Sequence, residues 1–295
     1  MYIVTGGAGF IGSNLIKYLN SKGISDILVI DDLTDGRKLK TLCELNFKNF
    51  LDADGIAAIQ HLPEGSVKKV FHLGAISSTT ETDGKKLMQY NYTHTLTWLA
   101  FCKSQNIKLV YTSSASVYGN STTFKESEQM SPLNPYAISK ALSEKAMDGN
   151  PYANTWVFRP FNVYGPGESH KDNQMSPISK FQQQFEETGK VQVFEGSENI
   201  KRDFISVQDV VKILVDHTDV NPGTYNLGTG QAKSFLDIAK LVTDNIETIP
   251  FPNHLLGNYQ YYSCANLDKL RADIIGRDFR FTTVDQYYDN LKRTN

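Results

Sequence analysis

The sequence predicts an α/β fold: a doubly wound parallel sheet with a smaller C-terminal α/β domain. Three observations carry this. A strand-like run, Tyr2–Thr5, leads directly into glycines at 6, 9 and 12 and then into an amphipathic segment. A second β-branched run ends in Asp31, about 20 residues beyond the turn. Through the first 160 residues or so, short β-branched runs alternate with longer amphipathic ones, the signature of βαβ units and a parallel sheet covered on both faces.

The strand candidates are Tyr2–Thr5, Ile27–Asp31, Val67–Leu73, Lys108–Thr112 and Trp156–Arg159. Helices are expected at Ile11–Ser21, Gly55–His61, Lys85–Ser104 and Pro135–Met147. Beyond residue 160 the pattern loosens into a Gly/Pro-rich loop over Tyr164–Asn173. Helices follow near Ser176–Glu187, Val207–His217, Ser234–Thr243, Leu267–Ala272 and Val284–Leu291, with strands near Gln192–Phe194 and Thr224–Leu227. The expected division is a dinucleotide-binding Rossmann-type domain over 1–162 plus about 203–230, and a substrate-binding domain over 163–202 and 231–295. With no linker or repeat in sight, the two are expected to pack directly, leaving a cleft.

Composition narrows the function. With 295 residues, 40% hydrophobic and 21% charged, the chain can build an ordinary core and is not disordered. A formal net charge of -2 gives no reason to expect nucleic acid or an anionic membrane as partner. Cys43, Cys102 and Cys264 are odd in number and far apart, as in a reducing compartment, so a cytoplasmic protein is expected. No signal peptide or membrane span is read. The six histidines lack ligand spacing, so no metal is expected.

The glycine pattern makes a physical demand that its context meets. One glycine allows the tight turn, one lets a pyrophosphate approach the backbone, and one lets helix and strand pack closely; the helix N-terminus then faces the phosphates. A plain glycine turn is the bland alternative, and the flanking strand, helix and acid weigh against it. Asp31 suits a ribose hydroxyl and hence NAD, whereas Arg37 and Lys38 suit a 2′-phosphate and hence NADP. Residue logic leaves both open.

Ser114 follows a strand, and Tyr136-x-x-x-Lys140 opens the next helix, so both side chains share one helical face. Removing hydride from a carbinol requires removing its hydroxyl proton as well. A tyrosine of ordinary pKa, about 10, needs nearby positive charge to act as that base. Lys140 and a nicotinamide ring would supply it, with Ser114 holding the oxygen.

These residues resemble the extended short-chain dehydrogenase/reductase superfamily. The similarity extends over Ser114-Ala-Ser-Val-Tyr118-Gly119, Arg159-Pro-Phe-Asn162-Val-Tyr164-Gly165-Pro166 and Tyr225-Asn-Leu-Gly228-Thr-Gly230. Within it, the chain resembles the ADP-glyceromanno-heptose 6-epimerase family. The stretches concerned are residues 3–14, Ser77-Ser-Thr-Thr-Glu81-x-Asp83-Gly84-Lys85, His170-Lys171, Phe194-Glu-Gly-Ser-Glu-Asn199, Lys201-Arg202-Asp203-Phe204 and Ile249-Pro-Phe-Pro252. The resemblance implies inversion at C6″ of ADP-D-glycero-β-D-manno-heptose, for lipopolysaccharide core biosynthesis, with tightly bound NADP in a homo-oligomer, a pentamer.

It also implies site residues. Gly6, Gly9, Phe10, Ile11, Gly12, Asp31, Asp32, Lys38, Leu73, Gly74, Ala75, Ile76, Ser77, Asn91, Lys140, Val163 and Lys171 would meet the cofactor. Asn162, Asn173, Lys180, Phe194, Glu195, Gly196, Ser197, Arg202 and Tyr259 would meet the substrate. Tyr136 and Lys171 would be the two acid/base groups, since an inverted carbinol presents its oxygen elsewhere and needs a second proton carrier. For Arg202 the alternative is a salt bridge to Asp203 or another carboxylate; for Asn91, a grip on loop backbone. Asp32 stands where close relatives carry Asn, Ala53 where they can carry Lys, and Leu73 where Glu is common. The first change works against a 2′-phosphate.

Three rivals remain. A 4,6-dehydratase would need an acid pair where Ala115-Ser116 stand. A UDP-hexose 4-epimerase fits Ser114, Tyr136 and Lys140 equally, but not the Ser77 and Phe194 stretches. A dinucleotide-sensing protein would typically have lost Tyr136 or Lys140.

Overall fold

The computed structural model describes residues 1–168, 171, 174–219, 221–252 and 260–294. In chain order its strands are β1 Tyr2–Thr5, β2 Ile27–Asp31, β3 Asn49–Asp52, β4 Lys69–His72, β5 Lys108–Thr112, β6 Thr155–Pro160, β7 Val163–Tyr164, β8 Val191–Phe194, β9 Lys201–Asp203, β10 Ile205–Ser206, β11 Gly223–Leu227, β12 Ala232–Ser234, β13 Ile246–Ile249 and β14 Tyr262–Ser263. The α-helices are α1 Phe10–Ser21, α2 Lys38–Cys43, α3 Gly84–Leu87, α4 His94–Ser104, α5 Pro135–Gly149, α6 Pro177–Thr188, α7 Val207–Asp216, α8 Phe235–Val242, α9 Asp268–Leu270 and α10 Val284–Thr294.

Seven strands form one sheet in the order β11-β6-β5-β4-β1-β2-β3, and the pairings from β6 to β3 are parallel. Strand order reverses between β1 and β4, which is where a doubly wound sheet opens a ligand crevice at its carboxyl edge. The chain divides into two compact units, 1–117 with 132–159 and 211–225, and 118–131 with 160–210 and 226–295. In the first, Ile3, Val70, Trp98, Leu109 and Tyr111 lie in one buried cluster. In the second, Tyr164, Ile178, Phe204, Ile238 and Tyr288 form another.

This division differs from the expected one over 118–131, 160–162, 203–210 and 226–230. Side chains explain the difference. Tyr118 packs on Phe124 and Phe161, and its hydroxyl donates to Asn226 at 2.6 Å. The pair Ile205–Ser206 bonds beside Val163–Tyr164.

Two local expectations change. Asn49–Asp52, too polar to stand out, forms the edge strand β3 on the register of β2. The single helix expected over Lys85–Ser104 is interrupted by a wider π turn at Met88–Thr93. The cause lies in Asn91, whose carbonyl accepts the hydroxyls of Thr95 at 2.6 Å and Ser143 at 2.8 Å. A single π turn of this kind often marks a functional position.

Candidate active site

In the first unit, Gly6 leaves β1 with φ +66°, and a Cβ there would lie 2.7 Å from Gly74 Cα and N. The turn after β1 therefore closes onto the turn after β4. A Cβ on Gly12 would lie 2.0 Å from the Gly6 carbonyl oxygen, so the start of α1 packs against the turn itself. The N-cap of α1 is Gly9, with no side-chain capping bond. Bare backbone N–H groups at a helix start suit a phosphate. The three glycine roles expected from the spacing thus have a physical basis, and the cradle fits a dinucleotide pyrophosphate. Phe10 is buried in the core, and Ile11 is half-buried beside the turn.

Asp31 is 6% exposed and accepts the Ala8 N–H at 2.8 Å and the Lys38 ammonium at 2.9 Å. Lys38 also donates to the Asp32 carbonyl at 2.8 Å. Asp32 accepts the hydroxyl and N–H of Thr34, bonds that lower its carboxyl pKa and keep it anionic. Arg37 is turned onto Asp35. The end of β2 expected to meet the adenosine ribose thus carries three carboxylates, Asp31, Asp32 and Asp35, and two cations, Arg37 and Lys38, close in sequence.

The loop after β4, Leu73 to Ser77, is held by its neighbours. Asn91, fully buried, accepts the Ile76 N–H at 2.8 Å and donates to the Ile76 carbonyl at 3.0 Å and to the Ser139 hydroxyl at 2.9 Å. Of the two roles considered for Asn91, the loop-fixing one is what the described contacts display. Leu73, Gly74, Ala75 and Ile76 are half-buried and Ser77 is exposed.

His72, which sequence reasoning passed over, joins these parts. Thr5 Oγ1 accepts the Gly74 N–H at 2.9 Å and meets His72 Nδ1 at 2.8 Å. Thr95 donates its one hydroxyl proton to Asn91, so at 2.9 Å it must accept from His72 Nε2–H. Because burial keeps the ring neutral, its single proton is on Nε2 and the Thr5 hydroxyl donates to Nδ1. Burial holds its pKa well below the ordinary histidine value. A depressed value means that stability from this group is intact above about pH 6.5. It is lost as pH falls below that, by up to about 1.4 kcal/mol per unit, until the folded-state pKa is passed. Urea unfolding at pH 7.5 and 5.5 is expected to show a smaller acid loss in His72→Gln than in the native chain. An equal loss in both would assign the acid sensitivity elsewhere.

The residues expected to carry the chemistry follow β5 and open α5. Asn134 caps α5 by accepting the Ala137 N–H at 2.9 Å, with Pro135 in the first turn, so Tyr136 and Lys140 sit one turn apart at the helix start. Ser114 follows β5 and accepts the Ser116 hydroxyl at 2.8 Å. Burial raises the Tyr136 pKa above 10, and the Ser114 hydroxyl acts in the opposite sense. Lys140 is 2% exposed, donates to the Thr112 carbonyl at 2.9 Å and stands 4.8 Å over the Tyr111 ring. Burial pushes its pKa down to about 7, while Glu144 pulls it up. The lowering of the Tyr136 pKa expected from Lys140 is not among the influences on the phenol in this chain alone, where burial and Ser114 act.

The second unit holds the residues expected to meet substrate. Asn162 donates to the Asp203 carbonyl at 2.8 Å. Arg202, 6% exposed, donates to its neighbour's carbonyl and stands 5.8 Å over the Phe235 ring. The described bonds of the Asp203 carboxylate go to Thr229, Gly230 and Ala265. Phe194 ends β8 edge-on to Phe251 at 5.6 Å, and Glu195, Gly196 and Ser197 form the turn beyond it, Gly196 at φ +77°. Val163 lies on β7.

Lys180 lies on α6, and burial lowers its pKa. Burial also lowers the Lys171 pKa, with Glu168 acting to raise it. Glu168, another residue passed over, is 2% exposed and accepts from Gly165 N, Ser176 N, and the Ser176 and Ser179 hydroxyls at 2.6–3.1 Å. Asn173 and Tyr259 lie outside the described residues. Among the described residues there is no group of three or more His, Cys, Asp or Glu that could hold a metal, and no helix long and apolar enough to cross a membrane.

Residues 2–228 match the model of the NAD-dependent epimerase/dehydratase family. The chain belongs to this family. A curated relative, the ADP-L-glycero-D-manno-heptose-6-epimerase of Alkalilimnicola ehrlichii, is 41% identical over 97% of this chain and 94% of its own length. Among solved structures, ADP-L-glycero-D-manno-heptose-6-epimerase from Helicobacter pylori superposes with a TM-score of 0.85 at 24% identity, covering 99% of this chain and 95% of that one. A UDP-glucuronic acid 4-epimerase variant from Bacillus cereus, solved with NAD, gives 0.82 at 22% identity, covering 100% and 99%. As in that family, the cofactor is a nicotinamide dinucleotide, and the glycine cradle and helix start of this epimerase/dehydratase member fit it.

Proposed function

We propose that the protein is a nucleotide-sugar epimerase that inverts C6″ of ADP-D-glycero-β-D-manno-heptose to the L-glycero form through a keto sugar. The observation that carries this reading is the 41% identity, over nearly the full chain, to a relative named for that activity. The bound dinucleotide would take hydride from the carbinol and return it to the opposite face. Tyr136 takes the hydroxyl proton as hydride leaves, and Ser114 holds that oxygen. Lys140 supplies the positive charge that favours the phenolate. Lys171 carries the proton for the inverted oxygen. Arg202 grips the substrate pyrophosphate with its planar fork, and Asn162, Asn173, Lys180, Tyr259 and the Phe194–Ser197 turn hold the rest of the nucleotide sugar.

The reading includes NADP as cofactor, with Lys38 meeting the 2′-phosphate. NAD is the second reading, favoured by one observation: Lys38 is already paired with Asp31. Calorimetric titration decides between them. Lys38→Ala is expected to weaken NADP about 10- to 100-fold, the worth of a charge-assisted hydrogen bond, and to leave NAD within about 3-fold. Equal weakening of both would remove Lys38 from the phosphate site. The reading further includes a cytoplasmic homo-oligomer, a pentamer, whose product enters lipopolysaccharide core synthesis; sedimentation equilibrium tests the assembly. Incubation with the ADP-heptose, followed by NMR of the C6″ configuration, tests the activity. Conversion of a UDP-hexose instead would overturn it.

A further inference from the structure

Position 144 lies one turn beyond Lys140 and two beyond Tyr136, in one row along α5. An acid there is costly: Glu144 is 4% exposed, in the floor of the first unit. Two residues, Arg159 and Ser113, hold its carboxylate. Arg159, at the end of β6 and also 4% exposed, donates from Nη2 at 2.6 Å and from Nε at 3.0 and 3.1 Å to the two oxygens. Ser113, immediately before Ser114, donates its hydroxyl to the same carboxylate. One side chain thus ties α5 to the ends of β5 and β6.

The charge of Lys140 needs this neighbour. The bonds that reach its ammonium come from neutral groups, the Thr112 carbonyl and the Tyr111 ring. The other titratable group that feels its charge is His72 from β4, which burial holds neutral. Arg159 and Asp148 act around Glu144, the first as its ion-pair partner. Glu144, one turn further along the same helix, is the anion that acts to raise the Lys140 pKa against the effect of burial.

We propose that Glu144 is a positioning residue for the reaction: its carboxylate keeps Lys140 an ammonium, and it seats the helix bearing Tyr136 and Lys140 against the strand end bearing Ser114. This rests on the reading of Tyr136 and Lys140 as catalytic. Neither role is served by a buried ion pair placed for stability alone, since such pairs are often replaceable by apolar residues at no loss.

The test compares native protein with Glu144→Gln and with the double variant Glu144→Gln/Arg159→Met. The double variant removes the cation that the single change would strand. Lys140 is followed directly, as its ammonium signal in ¹⁵N-lysine-labelled protein with cofactor bound, and turnover is followed from pH 6 to 10. The Lys140 midpoint is expected to fall by at least one pH unit in both variants. The alkaline limb of kcat should move with it, giving a loss of about 10-fold at pH 8 that largely recovers at pH 6. An unmoved midpoint, or a kcat lowered equally at every pH, would overturn the proposal. The lysine titration needs no substrate, so it remains decisive even where the ADP-heptose is not turned over.

Discussion

Replacing Tyr136 by phenylalanine is expected to lower turnover by about 10³-fold while leaving cofactor affinity within about 3-fold. General acid–base groups typically contribute 10²- to 10⁴-fold, and here the same phenol is asked to act at the start of the hydride step. The helix does not depend on that hydroxyl, because Asn134 caps α5 and Pro135 opens it. Nor does the glycine cradle, which rests on Gly6, Gly12 and Gly74. The variant should therefore bind the dinucleotide, fold normally and fail in chemistry. Steady-state kinetics beside a fluorescence titration of the cofactor would show it. Retention of a tenth of the native rate would remove Tyr136 as the base.

Gly12→Ala is the second large effect expected, and it acts on structure. The added methyl would lie 2.0 Å from Gly6 O, 2.7 Å from Gly6 C and 2.8 Å from Gly7 Cα, all backbone atoms. No rotamer relieves such a contact. Either α1 slides away from β1 or the turn opens, and both spoil the row of N–H groups facing the phosphates. Overpacking usually costs about 1–3 kcal/mol; with an unyielding backbone on every side, about 3 kcal/mol or more is expected. Dinucleotide affinity should fall at least about 100-fold. Gly84→Ala is the matched control, since nothing lies within 4 Å of its added Cβ. Urea melts of the two variants, with titrations of the cofactor, would separate them. A native-like melt for Gly12→Ala would mean that the turn is far more compliant than its packing indicates.

Much of the nucleotide-binding unit was legible because its signals are local. Strands β1, β2 and β5 run from Tyr2, Ile27 and Lys108 as their β-branched runs require, and α5 starts where Asn134 and Pro135 place it. Glu144 was within reach of the same logic, for it continues the i, i+4 row of Tyr136 and Lys140. Its importance was hidden because its partners, Ser113 and Arg159, stand on other elements. His72 was hidden for the same reason: a lone histidine in an apolar strand carries no signal until Thr5, Thr95 and Asn91 close around it.

The sequence by itself determined the strand-turn-helix cradle, the Tyr136–Lys140 row on α5 and the family. Each depends on residues a few positions apart, whose spacing translates directly into backbone geometry. The tertiary structure alone decided which polar groups are buried and what they face. It made Asn91 a loop clamp, set Lys38 on Asp31, set the Asp203 carboxylate on the turn at Thr229, and gathered 118–131 with the second unit. Those outcomes depend on hydrogen bonds between residues far apart in sequence. The cost of burying a polar group dictates that it must be paired, but only the folded chain brings the partner within reach.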